Sequence, residues 1–193
     1  MIDQKRIAEA EKRVNQYLKE EWLILKHKDS ANNVRFFLKN AETSLLTAQV
    51  LFDISNDSVK KQAVRQTNEF ESYLWVVVAS YYSMFYASLA LLAKNEMKTS
   101  GREHEVVENT LIARFIGNNR LARLLEGYQE TKDKALQITG AQEKAEELVV
   151  SYIHERQKRN ELQYEIGKSA KHNLAQTSLE NASEFVAEIR NIA

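Results

Sequence analysis

Apolar residues recur every three to four positions along most of the chain, and polar residues fill the gaps between them. That spacing predicts helices with one apolar stripe each. The first runs over about residues 3–26, with Ile7, Ala10, Val14, Tyr17, Leu18 and Leu25 as its stripe. The polar run "HKDSANN" (27–33) breaks it. A second helix follows through Val34, Phe37, Leu38, Ala41, Leu45, Ala48 and Leu51, and "SNDSVKKQ" (55–62) reads as a loop. The third spans about 68–95. "SGRE" (100–103) matches a capping box and opens a short helix over "HEVVENTLIARF". Asn118 or Asn119 caps the next, which carries Leu121, Leu124, Leu125 and Tyr128. A sixth helix covers about 141–166 with Leu148, Tyr152, Leu162 and Ile166. The last covers about 173–191 with Leu174, Leu179, Ala182, Phe185, Val186 and Ile189.

Glycine supplies the punctuation. Gly101, Gly117, Gly140 and Gly167 each follow a helical pattern, where a left-handed residue closes a helix. Gly127 lies inside a pattern and only weakens it. No segment alternates as a half-buried strand does. The expected fold is therefore all-α, an up-and-down helical bundle of about six to seven helices with no sheet. Residues 1–193 read as a single domain, with 1–27 an extra N-terminal helix. That helix is highly charged, which leaves open whether it joins the bundle, extends outward or docks on a partner.

Composition sharpens this picture. The chain has 193 residues, 44% hydrophobic, enough for a true core. It has no proline, which suits long helices joined by short turns. It has no cysteine, which removes disulfides, thiolate metal sites and thiol chemistry. The 27 basic and 27 acidic residues balance, which argues against wholesale coating of nucleic acid but allows a local basic patch. The first 25 residues lack a continuous apolar run, so no secretory signal is read and cytoplasm is the expected location. Residues 72–93 are 22 positions without a formal charge, long enough to span a bilayer. Eight of them are Ser or Tyr, and no positive cluster flanks them. A central bundle helix, apolar all round, is the preferred reading, and a membrane is not expected.

Conventional catalytic motifs are missing. None of His27, His104, His154 and His172 pairs with another at metal-ligand spacing, and there is no HExxH, Gly-rich phosphate loop or nucleophile elbow. No metal or cofactor is implied. "RQKRNELQY" (156–164) stands out instead. On a continuous helix Arg156, Asn160 and Tyr164 form an i, i+4, i+8 row with Arg159 beside it, and Lys158 adds charge. Guanidinium forks match phosphate oxygens, and amide and phenol groups add hydrogen bonds. Two readings fit: a phosphate site, or a solvated face whose arginines pair with surface acids.

Two segments together resemble the HEPN family of small helical-bundle proteins. "ASYYSMFYASLALLAKNE" (79–96) is similar to the family's central helix, and "RNELQY" (159–164) to its Arg-Asn…His motif. "GREHEVVENTLIARF" (101–115) sits where relatives carry a histidine-containing connection. The resemblance covers roughly 33–192. It implies metal-independent RNA cleavage in active relatives, with Arg159 holding the scissile phosphate, Asn160 beside it and the motif histidine moving a proton. Here Tyr164 stands at the histidine position. A phenol with pKa near 10 is about one part in a thousand ionised at pH 7, a poor general base. The candidate catalytic set is Arg159, Asn160 and Tyr164. Arg156, Lys158, His154 and His104 are candidate phosphate contacts. The family further implies a homodimer with a composite cleft, and a small nucleotidyltransferase as partner. The expectation is an RNA- or nucleotide-phosphate-binding protein, a weak or inactive ribonuclease of toxin or defence type. The alternative is a non-enzymatic helical module for dimerisation or protein docking. Tyr81, Tyr82, Phe85 and Tyr86 read equally as core or as subunit contact.

Overall fold

The computed structural model describes residues 2–26, 30–116, 119–150 and 168–193, with backbone alone at 30–31, 119–120, 140–150 and 168. These form seven helices and one two-stranded sheet, in the order α1 (Gln4–Lys19), β1 (Leu23–Ile24), α2 (Ser30–Asn56), α3 (Ser58–Ala63), α4 (Tyr73–Lys94), β2 (Lys98–Thr99), α5 (Glu103–Phe115), α6 (Asn119–Val150) and α7 (Lys168–Ile192). The all-α bundle expected from the sequence is present.

Helix α4 is the centre. Sixteen of its 22 residues are buried, against α2, α6 and α7. It is long and apolar enough to cross a membrane, but 83% of its most apolar window is buried inside the bundle. Small residues set how closely its neighbours approach. Ala41 and Ala48 of α2, and Ala175 and Ala182 of α7, lie seven residues apart on their helices and are fully buried. Ala87 and Ala90 of α4 are fully buried as well. The serines of α4 tolerate burial because they bond to their own helix: Ser83 Oγ donates to the Ser80 carbonyl (2.7 Å) and Ser88 Oγ to the Met84 carbonyl (2.8 Å).

Several boundaries differ from the sequence reading. Helix α1 stops at Lys19 because Glu21 takes a left-handed conformation (φ 58°). Leu23 is then buried in β1, which pairs antiparallel with β2, so a small sheet exists where none was expected. Leu25, expected in the first stripe, is 47% exposed. Residues 58–63 form a helix rather than a loop, because the Asp57 carboxylate accepts from the Val59 and Lys60 amides. Helix α4 starts at Tyr73 rather than near 68, where Ser72 bonds to Ser55 across the α2–α4 junction (2.9 Å). The capping box of "SGRE" does not form. Ser100 N–H donates to the Trp22 carbonyl, and Arg102 occupies the cap position in a left-handed conformation (φ 44°). Helix α6 runs unbroken through Gly140, so the break expected before 141 is absent, and α7 begins at Lys168.

Gly127 is more than a weak point. A Cβ there would stand 2.9 Å from Asn181 Cγ, so glycine is what lets α6 lie this close to α7. Beside it, Tyr128 stacks on Phe185 at 5.6 Å.

The first helix joins the bundle. Ala10, Val14 and Tyr17 are buried where α1 packs on α5. Two carboxylates of α5 then clasp it. Glu105 accepts from Arg13 (2.8 Å) and from the Tyr17 hydroxyl (2.8 Å). Glu108 accepts from Arg6 (3.1 Å), Gln129 (2.9 Å) and Lys132. Burial by itself raises the Glu108 carboxyl pKa. The bonds from Lys132, Gln129 and Arg6 more than offset it, and the net direction is down. Glu105 is likewise lowered: burial opposes, while Tyr17, Arg102 and Arg13 outweigh it.

Both carboxylates therefore contribute stability that is present above their ordinary value near 4.5 and lost as pH falls through their lowered values. Glu108→Gln is expected to cost about 3 kcal/mol at pH 7, because it leaves Lys132 and Arg6 without their carboxylate, and to flatten the acid limb. Urea unfolding from pH 3 to 7 reads both. Gly127→Ala is expected to destabilise by about 1 kcal/mol despite alanine's helix propensity, and adding Asn181→Ala is expected to reverse the loss in the same measurement.

Candidate functional site

Of the residues singled out in the sequence, His154, Arg156, Lys158, Arg159, Asn160 and Tyr164 lie outside the described residues. His104 lies within them. It sits in the first turn of α5, where the left-handed Arg102 turns the chain after β2. That turn brings the imidazole onto the aromatic row of α4. Its ring centroid is 4.3 Å from Phe85, 5.6 Å from Tyr81 and 6.0 Å from Tyr82. The Tyr81 hydroxyl and His104 Nδ1 share a short hydrogen bond of 2.5 Å.

The charge states of the two groups follow from the surroundings. Tyr81 is 1% exposed, and burial pushes its phenol far above the ordinary value of 10. The phenol therefore stays protonated. Burial lowers the His104 pKa, Glu103 pulls it back up, and Lys132 pushes it further down; the net direction is down. At neutral pH the imidazole is thus uncharged, with one ring nitrogen a donor and the other an acceptor. His104 meets a ligand as a neutral ring, not as a cation.

Tyr128 closes the inner side of the cluster. Its ring lies 5.9 Å from Tyr81 and it is fully buried, with its phenol raised well above the ordinary range by burial and by Tyr81 beside it. The outer side is open. Trp75 is 51% exposed and Tyr82 37%, with half-buried Ala79 and Tyr86 completing an i, i+4, i+7, i+11 row on one face of α4. The four aromatics left undecided by the sequence thus divide: Tyr81 and Phe85 are core, Tyr82 is exposed, and Tyr86 is half-buried.

Sequence reasoning did not select Tyr81, Tyr82 or Tyr128 as site residues, nor Glu105 and Glu108 as an ion-pair hub. The signal available for the tyrosines was their i, i+1 doubling in "YY" four residues before a second aromatic pair, "FY". Nothing local distinguishes Glu105 and Glu108, whose partners come from α1 and α6. Among the described residues no group of three or more His, Asp or Glu side chains is placed to hold a metal ion.

Compared with protein-family models, curated proteins and solved structures, the chain matches none.

His104 protonates in the unfolded chain near pH 6.5 and at lower pH in the native state. Above 6.5 both states are neutral there and His104 gives no slope. As pH falls below 6.5 the unfolded state takes up the proton first, so stability declines until the native pKa is passed. His104→Asn is expected to remove this slope between pH 7 and 5, measured by urea unfolding.

Proposed function

We propose that this protein is an RNA- or nucleotide-phosphate-binding bundle of the HEPN type, working in the cytoplasm as a homodimer. Arg159 and Asn160 hold phosphate, with Arg156 and Lys158 adding positive charge. The observation that supports this reading most is the meeting of two of the three resembling segments. The aromatic row of 79–96 and the histidine of 101–115 are far apart in local structure, on α4 and α5, yet Tyr81, Phe85 and His104 form one cluster.

Tyr164 sets the expected chemistry. A phenol donates a hydrogen bond to a phosphate oxygen and stabilises developing negative charge. It does not take a proton from a ribose 2′-OH at pH 7. The protein therefore binds RNA and cleaves it little or not at all, and a small nucleotidyltransferase is the partner the reading implies. The second reading, a non-enzymatic docking module, is favoured by one observation. Phe36, Leu46 and Val50 of α2 are 59%, 64% and 47% exposed, apolar side chains on one side of a helix.

Arg159→Ala with Asn160→Ala, at unchanged helicity, is expected to weaken RNA binding at least tenfold, since each charge-assisted contact is worth about 1.5–3 kcal/mol. Fluorescence anisotropy with labelled single-stranded RNA measures it. Tyr164→His is expected to raise cleavage above the wild-type level. Wild type that neither binds nor cuts RNA leaves the docking reading standing.

A further inference from the structure

We propose that the outer face of the α4 aromatic row, beside His104, is a stacking site for a nucleobase. This deepens the RNA reading and rests on it, but assigns a separate surface to the bases. Three observations on the structure carry it.

The first is the pair of exposed rings. Trp75 and Tyr82 are the largest exposed side chains of α4, on a helix whose other large residues are mostly enclosed. They are seven residues apart, about 10 Å along the helix axis, so one strand can lay bases on both.

The second is a polar group beside the rings. His104 shares Nδ1 with the Tyr81 hydroxyl, and its imidazole stands nearly perpendicular to the Tyr82 ring (79°). A base lying on Tyr82 presents its edge, which carries both donors and acceptors, toward the remaining ring nitrogen.

The third is charge. Glu103 acts on His104, and Glu108 and Asp133 act on Tyr81. The cation facing this cluster, Lys132, is already paired with Glu108. A phosphate or an acidic peptide is disfavoured in such a field. A neutral planar ring with acceptor atoms is not. This face therefore suits the bases of an RNA ligand rather than its phosphates.

The test uses the full chain with Trp22→Phe, which leaves Trp75 as the sole tryptophan reporter, because the chain has two. Three probes are titrated: a 12-nucleotide oligoriboadenylate, an abasic oligomer of the same length, and adenosine. The expected result is quenching of Trp75 by oligoriboadenylate and adenosine but not by the abasic oligomer. Tyr82→Ala and His104→Ala are each expected to weaken the base-dependent binding about tenfold, while Tyr82→Phe, which keeps the ring, retains it and guards against a folding defect. If both oligomers bind equally by anisotropy and Trp75 is silent, the stacking site is overturned and the phosphate reading survives. If adenosine quenches Trp75 and neither oligomer binds, the base site stands and the RNA reading falls. If Trp75 becomes protected from acrylamide as protein concentration rises, with a matching increase in sedimentation coefficient, a second copy covers the face and the proposal is overturned.

Discussion

Everything in this fold follows from the need to enclose one helix. Helix α4 is apolar on nearly every side, and a helix of that kind is stable in water only when neighbours surround it. Three long helices, α2, α6 and α7, do so. Alanines on α2 and α7 bring the backbones close, and Gly127 does the same for α6 against α7. The hydroxyls of Ser83 and Ser88 fold back onto their own helix, so polar side chains cost little inside the core. The outward-facing rings of Trp75 and Tyr82 are therefore an exception to the rule that governs the rest of the helix.

The second constraint is electrostatic. The chain has as many cations as carboxylates, and in the described residues a concentration of them sits between α1, α5 and α6. Glu105 and Glu108 bring Arg6, Arg13, Arg102 and Lys132 onto one wall. This wall anchors α1, whose apolar stripe alone is narrow. It also commits those cations to internal partners. Near the α4–α5 cluster stand Glu103, Glu108 and Asp133, while Lys132 is already paired with Glu108.

His104 links fold to chemistry. Its pKa is lowered chiefly by burial, its ring is held by the Tyr81 hydroxyl, and its position is set by the left-handed turn at Arg102, whose guanidinium lies 5.0 Å over Trp22. A histidine in this setting is a neutral hydrogen-bonding ring rather than a cation at neutral pH.

The helices were legible in the sequence because their period is a local property. The stripes Val34–Leu51, Leu121–Tyr128 and Leu174–Ile189 turned inward as their spacing required, and the uncharged run before Lys94 became the core. Helix ends were less legible. "SGRE" has the letters of a capping box, but Ser100 pairs with Trp22, 78 positions earlier in the chain, and that long-range bond wins. Gly140 has the letter of a helix stop, yet α6 runs through it to Val150. The sheet was invisible because two residues carry no period. Of the candidate site, the sequence named His104 but not what it does, since burial, the Tyr81 bond and the fields of Glu103 and Lys132 come from three different elements. Periodicity settles which residues face inward. Only the packing of helices against one another decides which polar groups meet, because that depends on contacts between segments whose separation along the chain carries no local signal.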